Sequence, residues 1–227
     1  MAENKPVKSR LIQFHRRCLF QDKCRPSSNH TVSPIMIMTR VKVNVARRFV
    51  PHSMLLSAAQ RAMEASETEG DGCWYDWLGV ILYCSLSIEA IGNTYGETFV
   101  TRWKDFESSS PLAKMRIVAE HCGLKPDFSS HPWAIVPQLG RFRNLIAHAK
   151  LEEIKRESIH PVKGHEKHLY AKPNSKLENM VTKAFAQESM NSIYDMLLLF
   201  EAHLPTWKVM ELEMGGWHRG ATLIEGD

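Results

Sequence analysis

Arg141, Arg143, Asn144 and His148 fall within eight consecutive residues, Arg141-Phe142-Arg143-Asn144-Leu145-Ile146-Ala147-His148. An arginine guanidinium can grip a phosphate with a fork of N–H donors, and an imidazole moves a proton near neutral pH. A carboxamide beside them can orient either group. This set of side chains suits the making and breaking of phosphodiester bonds.

The run Pro132–Lys150 carries its apolar residues at helical spacing: Ile135, Leu139, Phe142, Ile146 and Ala149. One face of this helix is therefore expected to be buried. On an ideal helix with Ile135 at zero, the apolar set stays within about 40°. Asn144, His148 and Arg141 then fall at about 180°, 220° and 240°, and Arg143 at about 80°, beside the seam. Five residues along a helix amount to about 140° and 7.5 Å, so Arg143 and His148 diverge in a single chain. Their heads converge only if the long arginine curls or a second copy closes on this helix. Arg141 lies seven residues before His148, nearly above it on the same face, and is an alternative phosphate ligand.

The other elements must hold this helix. Ser53–Glu67 reads as a helix with Ser53 as its N-cap. Cys73–Tyr95 reads as a longer helix, apolar on most sides and so central to a bundle. Its polar exceptions, Glu89 and Asn93, are four apart and share a face. Glu89 wants a basic partner, either to hold the fold or to orient Arg143 or His148. Phe99–Phe106 is a short amphipathic piece. Ser110 and Pro111 open a helix that Gly123 closes after Cys122. A last helix is expected from Asn174 or Ser175 to Leu204, with Leu177, Val181, Phe185, Ile193 and Phe200 in its stripe and Pro205 as its stop. The expected fold class is all-α: an up-and-down bundle of four to five helices over residues 51–205. A basic, largely irregular extension (1–50) precedes it, with one short strand near Ile35–Val45, and a loosely packed tail (206–227) follows.

Composition fits a soluble globular chain of 227 residues with 44% hydrophobic and 24% charged content. No apolar run approaches membrane-spanning length; Leu78–Leu86 and Met196–Phe200 are the longest. The net charge of +4 is unevenly spread, since residues 1–50 hold eleven Lys or Arg against two acids. That arm is read chiefly as a solvated leader and alternatively as a polyanion-binding one. Its sequence also allows a natural start near Met38. The five cysteines, Cys18, Cys24, Cys73, Cys84 and Cys122, show no paired spacing and are read as reduced residues of a cytoplasmic protein. His160, His165 and His168 lie in a polar stretch better read as a charged loop than as a metal site. No metal and no cofactor are expected.

Arg143-Asn144-Leu145-Ile146-Ala147-His148 resembles the Arg-polar-x-x-x-His motif of the HEPN superfamily, the higher eukaryotes and prokaryotes nucleotide-binding proteins. Ser87–Asn93 and the Ser110–Gly123 helix with its following loop are similar to that family too, and the resemblance spans about residues 53–204. It implies an all-helical bundle with the motif near the start of a late helix, and a homodimer with the motif helices meeting in one cleft. Many members are metal-independent endoribonucleases that act as toxins or in phage defence. Carried onto this chain, the resemblance makes His148 the general acid–base and Arg143 the stabiliser of phosphorane charge. Asn144 becomes a positioning group, Glu89 and Asn93 support, and Arg141 a substitute cation. The implied partners are RNA or a nucleotide, a second copy, and an antitoxin protein. A non-catalytic RNA-binding, nucleotide-binding or partner-binding dimer is the competing expectation.

Overall fold

A helix apolar on most of its circumference must be surrounded, and α2 (Cys73–Phe99) is. The computed structural model describes residues 40–68, 72–159, 161–163, 166–170, 172–214 and 217–224. Within them α2 packs against α1 (Pro51–Ala65), α3 (Pro111–His121), α4 (Ile135–Ala147) and α7 (Lys183–His203). The result is an all-α bundle with one two-stranded sheet. Val80, Ile81, Cys84, Ile88, Ile91 and Tyr95 form the buried stripe of α2. The Tyr95 ring packs tilted against Phe200 of α7, centroids 4.8 Å apart, and Phe200 meets Trp133 edge-on.

The ends of the helices follow local chemistry. Ser110 caps α3 by accepting from the Ala113 N–H, with Pro111 in the first turn. Gly123 has φ of 80°, a conformation that costs glycine little. It lets Leu124 N–H reach Ala119 O and Gly123 N–H reach Glu120 O, the paired bonds of a Schellman end. The start of α1 departs from expectation: Val50 is the N-cap and Pro51, with its preset φ, opens the helix, leaving Ser53 inside it. The long helix continues past Tyr95 to Phe99, and of the remainder of the expected amphipathic piece Trp103–Asp105 forms a 3-10 turn.

The expected single helix to Leu204 is two. Between α6 (Lys176–Met180) and α7, Val181 and Thr182 take extended backbone. Each piece has its own cap: a Ser175–Glu178 capping box, and the Thr182 hydroxyl accepting from Phe185 N–H. Val181 is still buried, so the apolar stripe runs through the break. The half-buried Glu178 carboxyl is held down to about 2 by the Ser175 backbone N–H first and Lys172 next. Its folded value is depressed, so its contribution to the cap is present above the ordinary carboxylate range. It is lost as pH falls toward 2.

At the two ends of the described chain, β1 (Arg40–Arg47) pairs antiparallel with β2 (Trp217–Ile224), Val43 facing Ala221. Of the strand expected near Ile35–Val45, the described part from Arg40 on is strand and runs to Arg47, while residues 35–39 lie outside the described residues; the tail holds α8 (Thr206–Met214) as well as a paired strand. Most of the leader, like Cys18, Cys24 and Met38, lies outside the described residues. A short α5 (Glu166–Leu169) interrupts the polar stretch before α6. Among the described residues no helix is long and apolar enough to cross a membrane.

Gly96 is a point of close approach. A Cβ there would run into the indole of Trp103, itself buried. Gly96→Ala is expected to cost about 1–3 kcal/mol through overpacking, read as a lowered urea midpoint; an unchanged midpoint would show that the Trp103 turn yields freely.

Candidate functional site

One carboxylate ties three helices together. Glu89 on α2 pairs its Oε2 with the Arg143 guanidinium of α4 at 3.1 Å and faces the Lys114 ammonium of α3 at 3.5 Å through Oε1. Lys114 also donates to Asn93 Oδ1 at 2.9 Å. Two cations against one carboxylate leave the cluster with a net positive charge.

Lys114 is the residue that the sequence pattern concealed. Its side chain is only 2% exposed. It reaches its acceptors because Gly92 has no side chain: a Cβ there would stand 3.1 Å from the Lys114 Cβ. Glu89, Gly92 and Asn93 thus form one device on α2, a slot with an acceptor at each end. The sequence signal was a glycine between two polar residues on an otherwise apolar helix.

Arg143 is the exposed end of this network, with its side chain 36% accessible. Glu89 therefore holds the arginine, and Asn93 serves Lys114 rather than the motif. Arg141, Asn144 and His148 are exposed, and their side chains have no hydrogen-bonding partner among the described residues. Asn144 does not bond the His148 ring; its contribution is main-chain, its carbonyl accepting the His148 N–H at 3.1 Å. The apolar seam is as expected through Ile135, Leu139 and Phe142, all buried. It ends earlier than expected, because α4 stops at Ala147. Ile146 is half-buried and Ala149 exposed beyond the end. His148 is the C-cap, with φ −118° and ψ 28°. The motif thus occupies the last turns of its helix, not the start. Pro137 sits in the first turn of α4, where its missing N–H would have had no intrahelical partner.

A second histidine constellation lies at the other end of α4. His131 Nε2 meets Asp195 Oδ2 of α7 at 2.8 Å, and Ser192 Oγ lies 3.5 Å from His131 Nδ1. The three residue types are those of a hydrolytic triad, but Ser192 is 1% exposed. A nucleophile closed to substrate cannot act, so the set works as a clamp fixing the start of α4 against α7.

Cys84 and Cys122 are free and buried, and Cys73 is free and half-buried. Burial pushes the Cys84 thiol far above its ordinary range. It pushes Cys122 up to about 11, with Lys208 nearby pulling the other way. Both stay protonated and packed, as a reduced core requires. Among the described residues no group of three or more His, Cys, Asp or Glu is placed to hold a metal ion; His160 and His165 lie outside them.

Compared with models of protein families, with functionally characterised proteins and with solved structures, the chain shows no match.

Proposed function

We propose that this protein is a metal-independent endoribonuclease of the HEPN class, a toxin or anti-phage defence effector that works as a homodimer in the cytoplasm. The observation that carries this reading is the state of the motif on α4. Arg143 is braced from behind by Glu89 at 3.1 Å yet keeps an accessible guanidinium, while His148 stands exposed at the helix end. A phosphate ligand that is pre-oriented and a proton carrier with no partner among the described residues are what transesterification of RNA needs.

In the proposed reaction His148 takes the proton of a ribose 2′-hydroxyl. The oxygen attacks the adjacent phosphorus, and Arg143, with Arg141 within reach of the same face, stabilises the charge of the phosphorane. The P–O5′ bond breaks and the departing oxygen receives a proton. The products are a 2′,3′-cyclic phosphate and a 5′-hydroxyl. RNA supplies its own nucleophile in this scheme. Pairing two α4 ends across a two-fold axis brings a second His148, so that one imidazole takes the proton and the other delivers one. Asn144, exposed on the same end of α4, would bond the phosphate or the second copy. An antitoxin would act by covering this end of α4.

The Glu89 bridge also favours one alternative. An arginine already half neutralised can grip a phosphate without driving cleavage, which would make the chain an RNA- or nucleotide-binding module. Incubating the purified protein in EDTA with end-labelled RNA separates the two, using a 2′-O-methyl RNA of the same sequence as control. The nuclease reading expects cleavage of the first and none of the second. Binding of both with cleavage of neither would leave the binding module.

A further inference from the structure

Lys114 takes no part in the reaction proposed above, yet its charge is set behind the arginine of the motif. Its side chain is 2% exposed, against 28% for Glu89 and 36% for Arg143. The three charges therefore run from the interior outward as Lys114, Glu89, Arg143. Glu89 offers Oε1 to the Lys114 ammonium at 3.5 Å and Oε2 to Nη2 of Arg143 at 3.1 Å. Asn93 Oδ1 also accepts from the ammonium, at 2.9 Å.

Stability alone does not explain a lysine here. A buried ion pair can often be replaced by apolar side chains of similar volume with no loss, or with a gain. Lys114 stands on a helix that already buries Met115, Val118 and Ala119, so an unbranched apolar chain in its place would suit the packing. What such a chain could not supply is charge. Opposite charges attract more strongly where water is excluded, while water and salt screen a pair at the surface. The Arg143 contact is the shorter of the two, but its guanidinium is solvated and spreads its charge over a plane of three nitrogens. Glu89 is thus committed chiefly to the ammonium behind it, and the surplus positive charge of the trio is left on the accessible arginine.

We propose that Lys114 is a positioning residue for a phosphodiester: by holding the Glu89 charge from inside, it lets Glu89 orient Arg143 without cancelling it. A phosphodiester carries one negative charge and would complete a neutral set of two cations and two anions. Without the ammonium, Glu89 and Arg143 would be a closed neutral pair, and a phosphate would have to compete with the carboxylate for the guanidinium. The inference rests on the reading of Arg143 as a ligand of RNA phosphate, and it adds to that site the residue that keeps it cationic.

The test measures binding of a fluorescent 2′-O-methyl single-stranded RNA, which lacks the attacking hydroxyl, by anisotropy between about 50 and 200 mM salt. Lys114→Met removes the inner charge. It is expected to bind about three- to ten-fold more weakly, with the log–log salt slope smaller by about 0.7, the share of one phosphate contact on a single strand. Lys114→Met combined with Glu89→Gln restores the net charge of the trio and keeps an oxygen to orient Arg143, so it should recover the affinity and slope of the full chain. A lysine needed only for packing would not be rescued in this way. Asn93→Asp gives the ammonium a carboxylate of its own and reaches the same neutral state with Lys114 in place; it should match Lys114→Met, and it carries the test if urea melts show Lys114→Met unfolded. Equal affinity and slope for the full chain and a folded neutral variant would overturn the proposal, as would a double variant that binds no better than Lys114→Met. Cleavage of ordinary RNA in EDTA is scored separately. If binding follows the charge while that RNA stays intact, Lys114 keeps its role and the nuclease reading fails. If the RNA is cut and binding ignores the charge, the nuclease reading stands and this role for Lys114 fails. A full chain that binds no RNA overturns both.

Discussion

His148→Ala is expected to lower the rate of RNA cleavage by about 10²- to 10⁴-fold, the usual worth of a positioned general acid–base. The loss should fall on kcat, since the imidazole acts on the proton in flight and adds little to ground-state binding. Stability should be almost untouched, within about 0.5 kcal/mol, because the ring is exposed and bonds no described residue. That separation makes the variant informative: an inactive protein with an unchanged urea midpoint has lost chemistry, not fold. Arg143→Ala is expected to lose about 10²- to 10³-fold, as when one donor to a developing oxyanion is removed. Single-turnover rates at saturating RNA, beside urea melts, check both. Equal rates for wild type and His148→Ala would remove the histidine from the mechanism.

The largest expected effect on stability belongs to Glu89. Glu89→Ala strips the countercharge from Lys114, whose side chain is 2% exposed, and leaves the Asn93 carbonyl oxygen as its remaining acceptor. Removing one partner of a buried pair costs about 3–5 kcal/mol, and the partial exposure of Glu89 argues for the lower end, about 3 kcal/mol. Replacing both, as Glu89→Leu with Lys114→Met, removes the stranded charge and should recover most of that loss. The same double variant frees Arg143 from its brace, so stability returns while cleavage does not. Urea denaturation of Glu89→Leu, of Lys114→Met and of the double closes the cycle. A Glu89→Ala protein as stable as wild type would mean that Lys114 finds water or another acceptor, and that the three-helix tie is weaker than its geometry implies.

How much of this was legible in the sequence depends on how local each feature is. The α3 boundaries follow from Ser110-Pro111 and Gly123 because caps are written within a few residues of the end they make. The centrality of α2 follows from its apolar circumference, and the pairing of Glu89 with a basic residue from the cost of leaving a carboxylate there alone. Lys114 was hidden because a lysine in a half-polar helix reads as surface; only its approach to Gly92, made by tertiary packing, buries it. The break at Val181–Thr182 was hidden because the apolar stripe persists through it while two side-chain caps interrupt the backbone. The β1–β2 pairing joins residues 170 or more apart in the chain, and no local pattern encodes a partner that far away. At the motif, helical periodicity placed Arg143 beside the buried seam, where its bridge to Glu89 is found. It carried the helix past Ala147, where the backbone in fact leaves it, so His148 is a cap rather than a member of the stripe.

The most direct measurement is the chemical identity of the ends produced when the wild-type protein acts on RNA in EDTA. Mass spectrometry of the fragments should show 2′,3′-cyclic phosphate on one side of each cut and 5′-hydroxyl on the other. Fragments ending in 3′-hydroxyl and 5′-phosphate, or intact RNA after prolonged incubation, would contradict the assignment of Arg143 and His148 to metal-independent transesterification.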